Sequence, residues 1–254
     1  MKKIILVVAL ATLGCQANAY DLKDLKTLKD KVTTSTAKSD SGASTGAGVD
    51  ALSNDEASSG LKEALNQGVA KAVSSLGAAN GFFSNKEVKI PLPDSLKKVE
   101  KGMKFIGMGD QSDELILKMN RAAEAAAPEA KALLVNSIKQ MSLADAKAIL
   151  TGPEDAATQY FKKTTSADMG QKFLPIVTKA TEKVQLAQTY NKYAEMGSKF
   201  GVVDKEDANI EQYVTNKALD GLYLMIAKEE AAIRKDPIGQ ASSLLKKVFG
   251  AIGK

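Results

Sequence analysis

From about Val49 onward, apolar residues recur at helical spacing, and glycine and proline rather than strand patterns separate the runs. The first run places an apolar side chain every three or four residues until Gly77 ends it. Its members are Leu61, Leu65, Val69, Ala72 and Leu76. One short irregular or extended segment is expected near residues 78–93, where two prolines exclude a central strand. The periodicity predicts an all-α fold, a single multi-helix domain over residues 49–254.

Turn and capping residues predict where individual helices begin, bend and end. Pro128 should bend or break a long alanine-rich helix, because proline lacks the N–H donor that a helix interior requires. A short helix is expected to begin at Ser142. Asp155 falls in the first turn of the next helix, where free amides favour a carboxylate. A separate long helix is expected beyond Ser166, with its end at Gly201.

Residues 1–19 have the layout of a secretory signal peptide: a basic start, an apolar run and small residues before cleavage after Ala19. The apolar run is roughly ten to twelve residues, whereas a bilayer crossing needs about twenty. Because Gly14 and Cys15 match the end of a lipoprotein signal, lipidation of Cys15 is an alternative. We expect an exported, periplasmic protein without a transmembrane segment, or one that a lipid anchors to the membrane facing the periplasm.

Residues 20–48 are predicted to precede the folded domain. Residues 20–32 read YDLKDLKTLKDKV, with three leucines and a valine on one side of a short helix. Residues 33–48 read TTSTAKSDSGASTGAG and contain almost nothing to bury. They resemble a flexible linker, which would tether the domain to the export site.

The composition excludes the usual reactive side chains. The chain contains no histidine and no tryptophan, and its one cysteine, Cys15, lies in the predicted signal. Histidine is the commonest general base and metal ligand near neutral pH, so most hydrolase mechanisms and zinc sites lack their usual group. Without Cys15 the mature chain forms no disulfide, and packing alone must hold the fold. We therefore expect a protein that is not an enzyme and has no metal site or cofactor.

The charge balance argues against a nucleic-acid partner. Removing the signal leaves 33 basic and 30 acidic residues, a net charge of about +3. Only two of the basic residues, Arg121 and Arg234, are arginines. Recognition of phosphates and bases usually relies on the planar guanidinium group, so nucleic acid is not expected to bind.

Polar residues at the edges of two apolar stripes are candidates for a pocket. They are Asn120, Arg121 and Glu124 on the alanine-rich helix, and Tyr213, Lys217 and Asp220 on a later helix. Spacings of three and four place charged partners together on a helix face. If the two sets converge, they line a pocket; otherwise they are ion pairs and hydrogen bonds that fix helix packing. The sequence leaves both interpretations open.

Two functional hypotheses follow from these features. A non-catalytic interaction or structural protein of the cell envelope fits a tethered helical domain with nearly balanced charge. The alternative is a periplasmic carrier or sensor of a hydrophobic small molecule or lipid, because flexible methionine side chains adapt to ligands. Those methionines are Met103, Met108, Met119, Met141, Met196 and Met225. Simple filling of the core is the favoured explanation of the same side chains.

Seven segments of the predicted domain are long and specific. They are LSNDEASSGLKEALNQGVAKAV, IPLPDSLKKVEKGMK, MNRAAEAAAPEAK, DAKAILTGPEDAATQYF, FLPIVTKA, KALDGLYLMIAKEE and SSLLKKVFG. Together they resemble the bacterial domain-of-unknown-function 4197 family. The resemblance extends from Leu52 to Phe249. It implies an exported, mostly helical bacterial protein, and it implies no catalytic or binding residue at any position of this chain.

Overall fold

Seven α-helices form the regular structure of the described part of the chain. They are α1 (Asn54–Gly77), α2 (Gly109–Ala126), α3 (Ala130–Gln140), α4 (Leu143–Thr151), α5 (Ala156–Thr181), α6 (Gln185–Lys199) and α7 (Ile210–Lys235). The computed structural model describes residues 54–97, 105, 109–199, 201 and 208–236. These residues contain no strand, so the all-α prediction is confirmed. None of the described helices combines the length and hydropathy needed to cross a membrane.

Helices α5 and α7 form the centre of the packing. They pack along each other, and α1 and α2 both contact this central pair. The largest fully buried side chains include Phe82, Phe161, Phe173, Leu115 and Met169. Burying one such side chain contributes about 1.5–3 kcal/mol, so a contiguous apolar core holds the helices together without a cross-link.

The predicted interruption at Pro128 is confirmed. A 3-10 turn, Ala127–Glu129, separates α2 from α3 and contains the proline. The end of α1 packs against the same turn, because a Cβ on Gly77 would lie 3.0 Å from Pro128 Cγ. The proline thus ends α2 where α1 passes close to it.

The start of α4 is also as predicted. Ser142 Oγ accepts a hydrogen bond from the backbone N–H of Asp145 at 3.1 Å, and Asp145 Oδ2 accepts one from the backbone N–H of Ser142 at 3.0 Å. This reciprocal capping box satisfies two N–H groups that the first turn leaves free.

The predicted boundary near Ser166 is wrong. Helix α5 continues through this point to Thr181, and the break falls at residues 182–184, before α6. The hydroxyls of Thr165 and Ser166 donate to the carbonyls of Phe161 (2.6 Å) and Lys162 (2.7 Å), one turn earlier. Because these polar side chains bond within the helix, they do not end it.

Residues 78–93 connect α1 to the next helical turn without forming a strand, as predicted, and we call them the connecting segment. Asn80 has a φ of 68°, in the left-handed region. Phe82 and Val88 pack onto Gly221 of α7, where a Cβ would lie 2.8 Å from Phe82 Cε1 and 3.2 Å from Val88 Cβ. Glycine at this position therefore lets the segment approach the helix backbone.

Several sequence predictions concern residues outside the described part of the chain. They include the signal peptide, the lipidation of Cys15, the segment over residues 20–48, and the side chains of Met103, Met108 and Met196. Met119 and Met141 are buried in the core.

Candidate functional site

Asn120 lies fully buried in α2 and binds the backbone of the connecting segment. Its Oδ1 accepts from the N–H of Ile90 at 2.8 Å, and its Nδ2 donates to the carbonyl of Ile90 at 2.9 Å. The second Nδ2 hydrogen bond goes to the carbonyl of Ile116 at 2.8 Å. The side-chain amide pairs with Ile90 as a neighbouring strand would, and both of its donor hydrogens are used inside the protein.

Glu124, one turn further along α2, holds the start of the same segment. Its Oε1 accepts from two consecutive N–H groups, those of Phe82 (3.1 Å) and Phe83 (3.0 Å). Its Oε2 accepts from Arg121 Nη1 at 2.5 Å. Arg121 also donates to Asn80 Oδ1 at 2.8 Å. This arginine therefore links Glu124 to the turn in which Asn80 has a left-handed backbone conformation.

The environment of Glu124 favours its charged form. Burial on its own would raise the pKa of this carboxyl group. The N–H groups of Phe83 and Phe82 and the guanidinium of Arg121 act in the opposite direction, and together they lower the pKa below its ordinary value of 4.5. Glu124 is therefore an ionised anchor at neutral pH and is not poised to donate a proton.

Tyr213 reaches the connecting segment from the other side. This α7 residue is 5 % exposed, and its hydroxyl donates to the carbonyl of Pro91 at 3.0 Å. The connecting segment is thus held by α2 and α7 together. It is the shared binding partner of Asn120, Arg121, Glu124 and Tyr213.

Lys217 and Asp220 lie on the surface beside the segment. Their side chains are 45 % and 72 % exposed, and Lys217 Nζ is 3.7 Å from Asp220 Oδ2. An exposed pair of this kind contributes about 0–1 kcal/mol. Both residues line a groove of about 200 Å³ between α7 and the connecting segment, together with Lys89 and Leu224. The six predicted residues thus divide into four that hold the segment and two that line a groove next to it.

Sequence reasoning missed a second anchoring carboxylate, Glu230 of α7. It is 6 % exposed and accepts from the N–H groups of Ala157 and Thr158, both at 3.0 Å, and from the Thr158 hydroxyl at 2.9 Å. Arg234 Nη2 donates to Glu230 Oε1 at 3.0 Å and to the carbonyl of Ile149 at 2.9 Å. Glu230 therefore caps α5 from a different helix.

This contact corrects the role predicted for Asp155. Asp155 is the N-cap residue of α5, but its side chain makes no capping hydrogen bond. Its Oδ2 instead accepts from Gln159 Nε2 at 2.8 Å. The amides that the prediction assigned to Asp155 are occupied by Glu230. The sequence signal was present, because Arg234, one of only two arginines, lies four residues from this glutamate, much as Arg121 lies three from Glu124.

A third buried carboxylate, Glu211, joins three helices. Its Oε1 accepts from the hydroxyl of Thr181 in α5 at 3.2 Å, and its Oε2 accepts from Asn191 Nδ2 in α6 at 2.8 Å. Asn191 Oδ1 in turn accepts from the N–H of Ile210 at 2.8 Å, at the start of α7. The network links the end of α5, the middle of α6 and the start of α7.

A second groove, of about 330 Å³, runs between α5 and α7. It is lined by Lys162, Ser166, Asn216, Leu219, Asp220 and Tyr223. The hydroxyl of Tyr223 lies 3.0 Å from the hydroxyl oxygens of both Thr165 and Ser166, so the phenol is tied to α5. Asp220 lines this groove and the first one, which places the two grooves on either side of a single line of α7 residues.

The helices, the connecting segment and both grooves lie within one stretch of the chain that a protein-family model matches. The family model described as "Protein of unknown function (DUF4197)" matches residues 51–250. The chain belongs to the DUF4197 family. The DUF4197 region contains α1 to α7, the connecting segment and both grooves, and the resemblance drawn from the sequence is confirmed. No curated protein and no solved structure matches the chain.

Among the described residues of this DUF4197 chain, no group of three or more acidic, histidine or cysteine side chains is arranged to hold a metal ion.

Proposed function

We propose that this protein acts by binding, as a non-catalytic interaction or structural protein of the bacterial cell envelope. One observation carries the proposal: the buried polar side chains at the candidate site are turned inward onto protein backbone. Asn120, Glu124 and Glu230 accept from the N–H groups of other segments at 2.8–3.1 Å. A general acid or base must reach a substrate atom, and a carboxylate occupied by two backbone donors is poorly placed to do so.

The location in the envelope is supported by the N-terminal sequence. Residues 1–19 have the three parts of an export signal, with cleavage after Ala19. Export to the periplasm follows, and acylation of Cys15 is the alternative that would hold the protein at the membrane.

The carrier hypothesis stays a prediction, and no observation on the described residues favours it. Met119 and Met141 are packed in the core with at most 3 % exposure, as the core-filling explanation expects. A cavity between α1, α5 and α7 is lined by Leu61, Leu65 and Ile233, among others, and measures only about 10 Å³. That volume suits a single water molecule and not a lipid chain.

Native mass spectrometry of the untagged protein from its own cells tests the proposal. We expect a complex with a protein partner that dissociates under denaturing conditions, leaving a chain that begins at Tyr20 or, if lipidated, at acylated Cys15. A sample refolded from denaturant and measured alone is the control for non-specific adducts. Release of a hydrophobic small molecule with no protein partner would replace the proposal with the carrier hypothesis, and a chain that carries neither would contradict both.

A further inference from the structure

Both grooves of α7 open onto one exposed ridge of that helix. The ridge consists of Lys217, Asp220 and Leu224, which are 45 %, 72 % and 41 % exposed although α7 is otherwise central to the packing. The connecting segment forms the wall of the first groove, and α5 forms the wall of the second. This part of the surface therefore has a raised centre, the ridge, with a recess on each side formed by the first and the second groove.

Among the described residues, each recess contains one lysine that pairs with no carboxylate. Lys217 pairs with Asp220, and Lys228 pairs with Glu87 of the connecting segment. In the described part of the chain, Lys89 in the first groove and Lys162 in the second have no carboxylate partner. Each lies over an aromatic ring instead: Lys89 Nζ is 4.4 Å from the centroid of Phe83, and Lys162 Nζ is 5.9 Å from that of Tyr223.

Apolar surface accompanies these two cations. Leu224 is one of the few large apolar side chains of the described residues with more than a third of its surface exposed, and it lines the first groove. Leu219 is partly buried and lines the second groove next to Lys162. A partner that spans the ridge would meet Lys89, then Leu224 beside the mutually paired Lys217 and Asp220, and then Lys162.

The shape of the surface indicates a macromolecular partner. The grooves measure about 200 and 330 Å³, and neither is an enclosed cavity. Sites for small molecules typically enclose most of the ligand surface in 300–1,000 Å³. A flat bilayer would touch the ridge but not follow the recesses, and a membrane-surface helix needs a much larger apolar face than one leucine.

We infer that the α7 ridge binds an acidic segment of a partner protein. An apolar side chain of that segment packs on Leu224, and carboxylates on either side of it pair with Lys89 and Lys162. The inference rests on the proposed function of binding and specifies its partner. Charge complementarity of this kind gives a complex its specificity and speeds association.

Asn120 and Tyr213 fix the position of the connecting segment, which forms one wall of this surface. Lys89 precedes Ile90, whose N–H and carbonyl are both held by Asn120. Tyr213 fixes Pro91 from α7. Because both helices hold the wall of the first groove, little of its conformational freedom remains to be lost on binding. Two residues that the sequence predicted to line a pocket, Asn120 and Tyr213, thus hold the backbone behind a binding surface.

Photo-crosslinking tests the inference directly. A photoreactive phenylalanine analogue replaces Leu224 in the untagged protein within its native cells, and the crosslinked peptides are identified by mass spectrometry. We expect the partner peptide to carry a net negative charge around the crosslink. Adding Lys89→Glu and Lys162→Glu together should lower the crosslink yield about tenfold, because attraction at both ends becomes repulsion.

Two variants control for unfolding and for general charge effects. Lys172→Glu reverses an exposed lysine of α5 that lines neither groove, and it should leave the yield unchanged. The neutral double variant Lys89→Gln/Lys162→Gln, whose fold is checked by circular dichroism, should lower the yield by about threefold.

The remaining outcomes separate the two proposals. A protein partner found by native mass spectrometry that does not crosslink from residue 224 would overturn the acidic-segment inference and leave the binding function standing. So would a crosslink yield that neither double lysine variant changes. Crosslinks from residue 224 to lipid, or to a basic segment, would overturn the inference as well. The absence of any protein partner, both by crosslinking from residue 224 and by native mass spectrometry, would contradict the binding function itself.

Discussion

Replacing Glu124 with alanine removes the acceptor that holds the start of the connecting segment. The N–H groups of Phe82 and Phe83 both donate to its Oε1, and Arg121 donates to its Oε2. Phe82 is fully buried, so water cannot replace the lost acceptor there. Phe83 is half-buried, and its N–H regains part of its hydration. The cost therefore falls mainly on one buried donor.

The expected loss in the free energy of unfolding follows from these contacts. Leaving a buried N–H group unsatisfied costs about 1–3 kcal/mol, and a partly exposed one costs less. We expect Glu124→Ala to lower the free energy of unfolding by about 2–4 kcal/mol. Glu124→Gln keeps a carbonyl oxygen for the two N–H groups but loses the charged pair with Arg121, so we expect a loss of about 1–2 kcal/mol.

The stability difference between the wild type and Glu124→Gln should change with pH in one direction. The carboxyl group of Glu124 has a folded-state pKa below its ordinary 4.5, so its charged form stabilises the fold at pH values above 4.5. This contribution is lost as the pH falls through the lowered pKa. The stability difference between wild type and Glu124→Gln should therefore be largest near neutral pH and shrink as the pH falls below 4.5.

Urea unfolding followed by circular dichroism measures these differences, since the chain has no tryptophan to report by fluorescence. Glu114→Ala is the matched control, because Glu114 is an exposed glutamate on the same helix. It should change the free energy of unfolding by less than about 0.5 kcal/mol. A Glu124→Ala variant as stable as this control, or a wild-type advantage over Glu124→Gln that grows with acid, would refute the anchoring role.

Four further substitutions are tested by the same measurement. Gly221→Ala should cost about 1–3 kcal/mol, because its Cβ would lie 2.8 Å from Phe82 Cε1. Gly170→Ala in α5 should instead stabilise by about 0.5–1 kcal/mol, because the new Cβ would meet no side chain or other segment of the described residues within 4 Å. Equal effects at the two glycines would contradict the packing of the segment. Glu230→Ala should cost about 2–4 kcal/mol by freeing two amides of α5, and an unchanged midpoint would exclude the cross-helix cap. Ser142→Ala should cost about 1 kcal/mol, and no loss would mean that the capping box is not formed in solution.

The features predicted correctly from the sequence have local causes. The interruption at Pro128 follows from a missing N–H donor, and the start of α4 follows from two residues three apart. The irregular nature of residues 78–93 likewise follows from its own turn residues and prolines. Each of these signals lies within a few residues of the structure that it specifies.

The features that the sequence did not reveal depend on contacts between distant residues. Glu230 caps amides that lie more than 70 positions earlier, so no local pattern links the two. The continuity through Ser166 depends on a hydroxyl that bonds one turn back and also contacts the hydroxyl of Tyr223 in α7. For the candidate site, spacing identified the polar residues of α2 and α7, but their shared neighbour, the connecting segment, emerged only from the fold.

Amide hydrogen exchange measured by NMR on the native protein tests most directly whether inward-turned side chains hold the connecting segment. Phe82, Phe83 and Ile90 belong to no helix or strand, so their N–H groups are protected only if Glu124 and Asn120 bind them. We predict that the amides of Phe82 and Ile90 exchange at least about a hundredfold more slowly than in an unstructured peptide, with Phe83 protected to a lesser degree. Exchange at the unstructured rate at Phe82 and Ile90 would contradict the account.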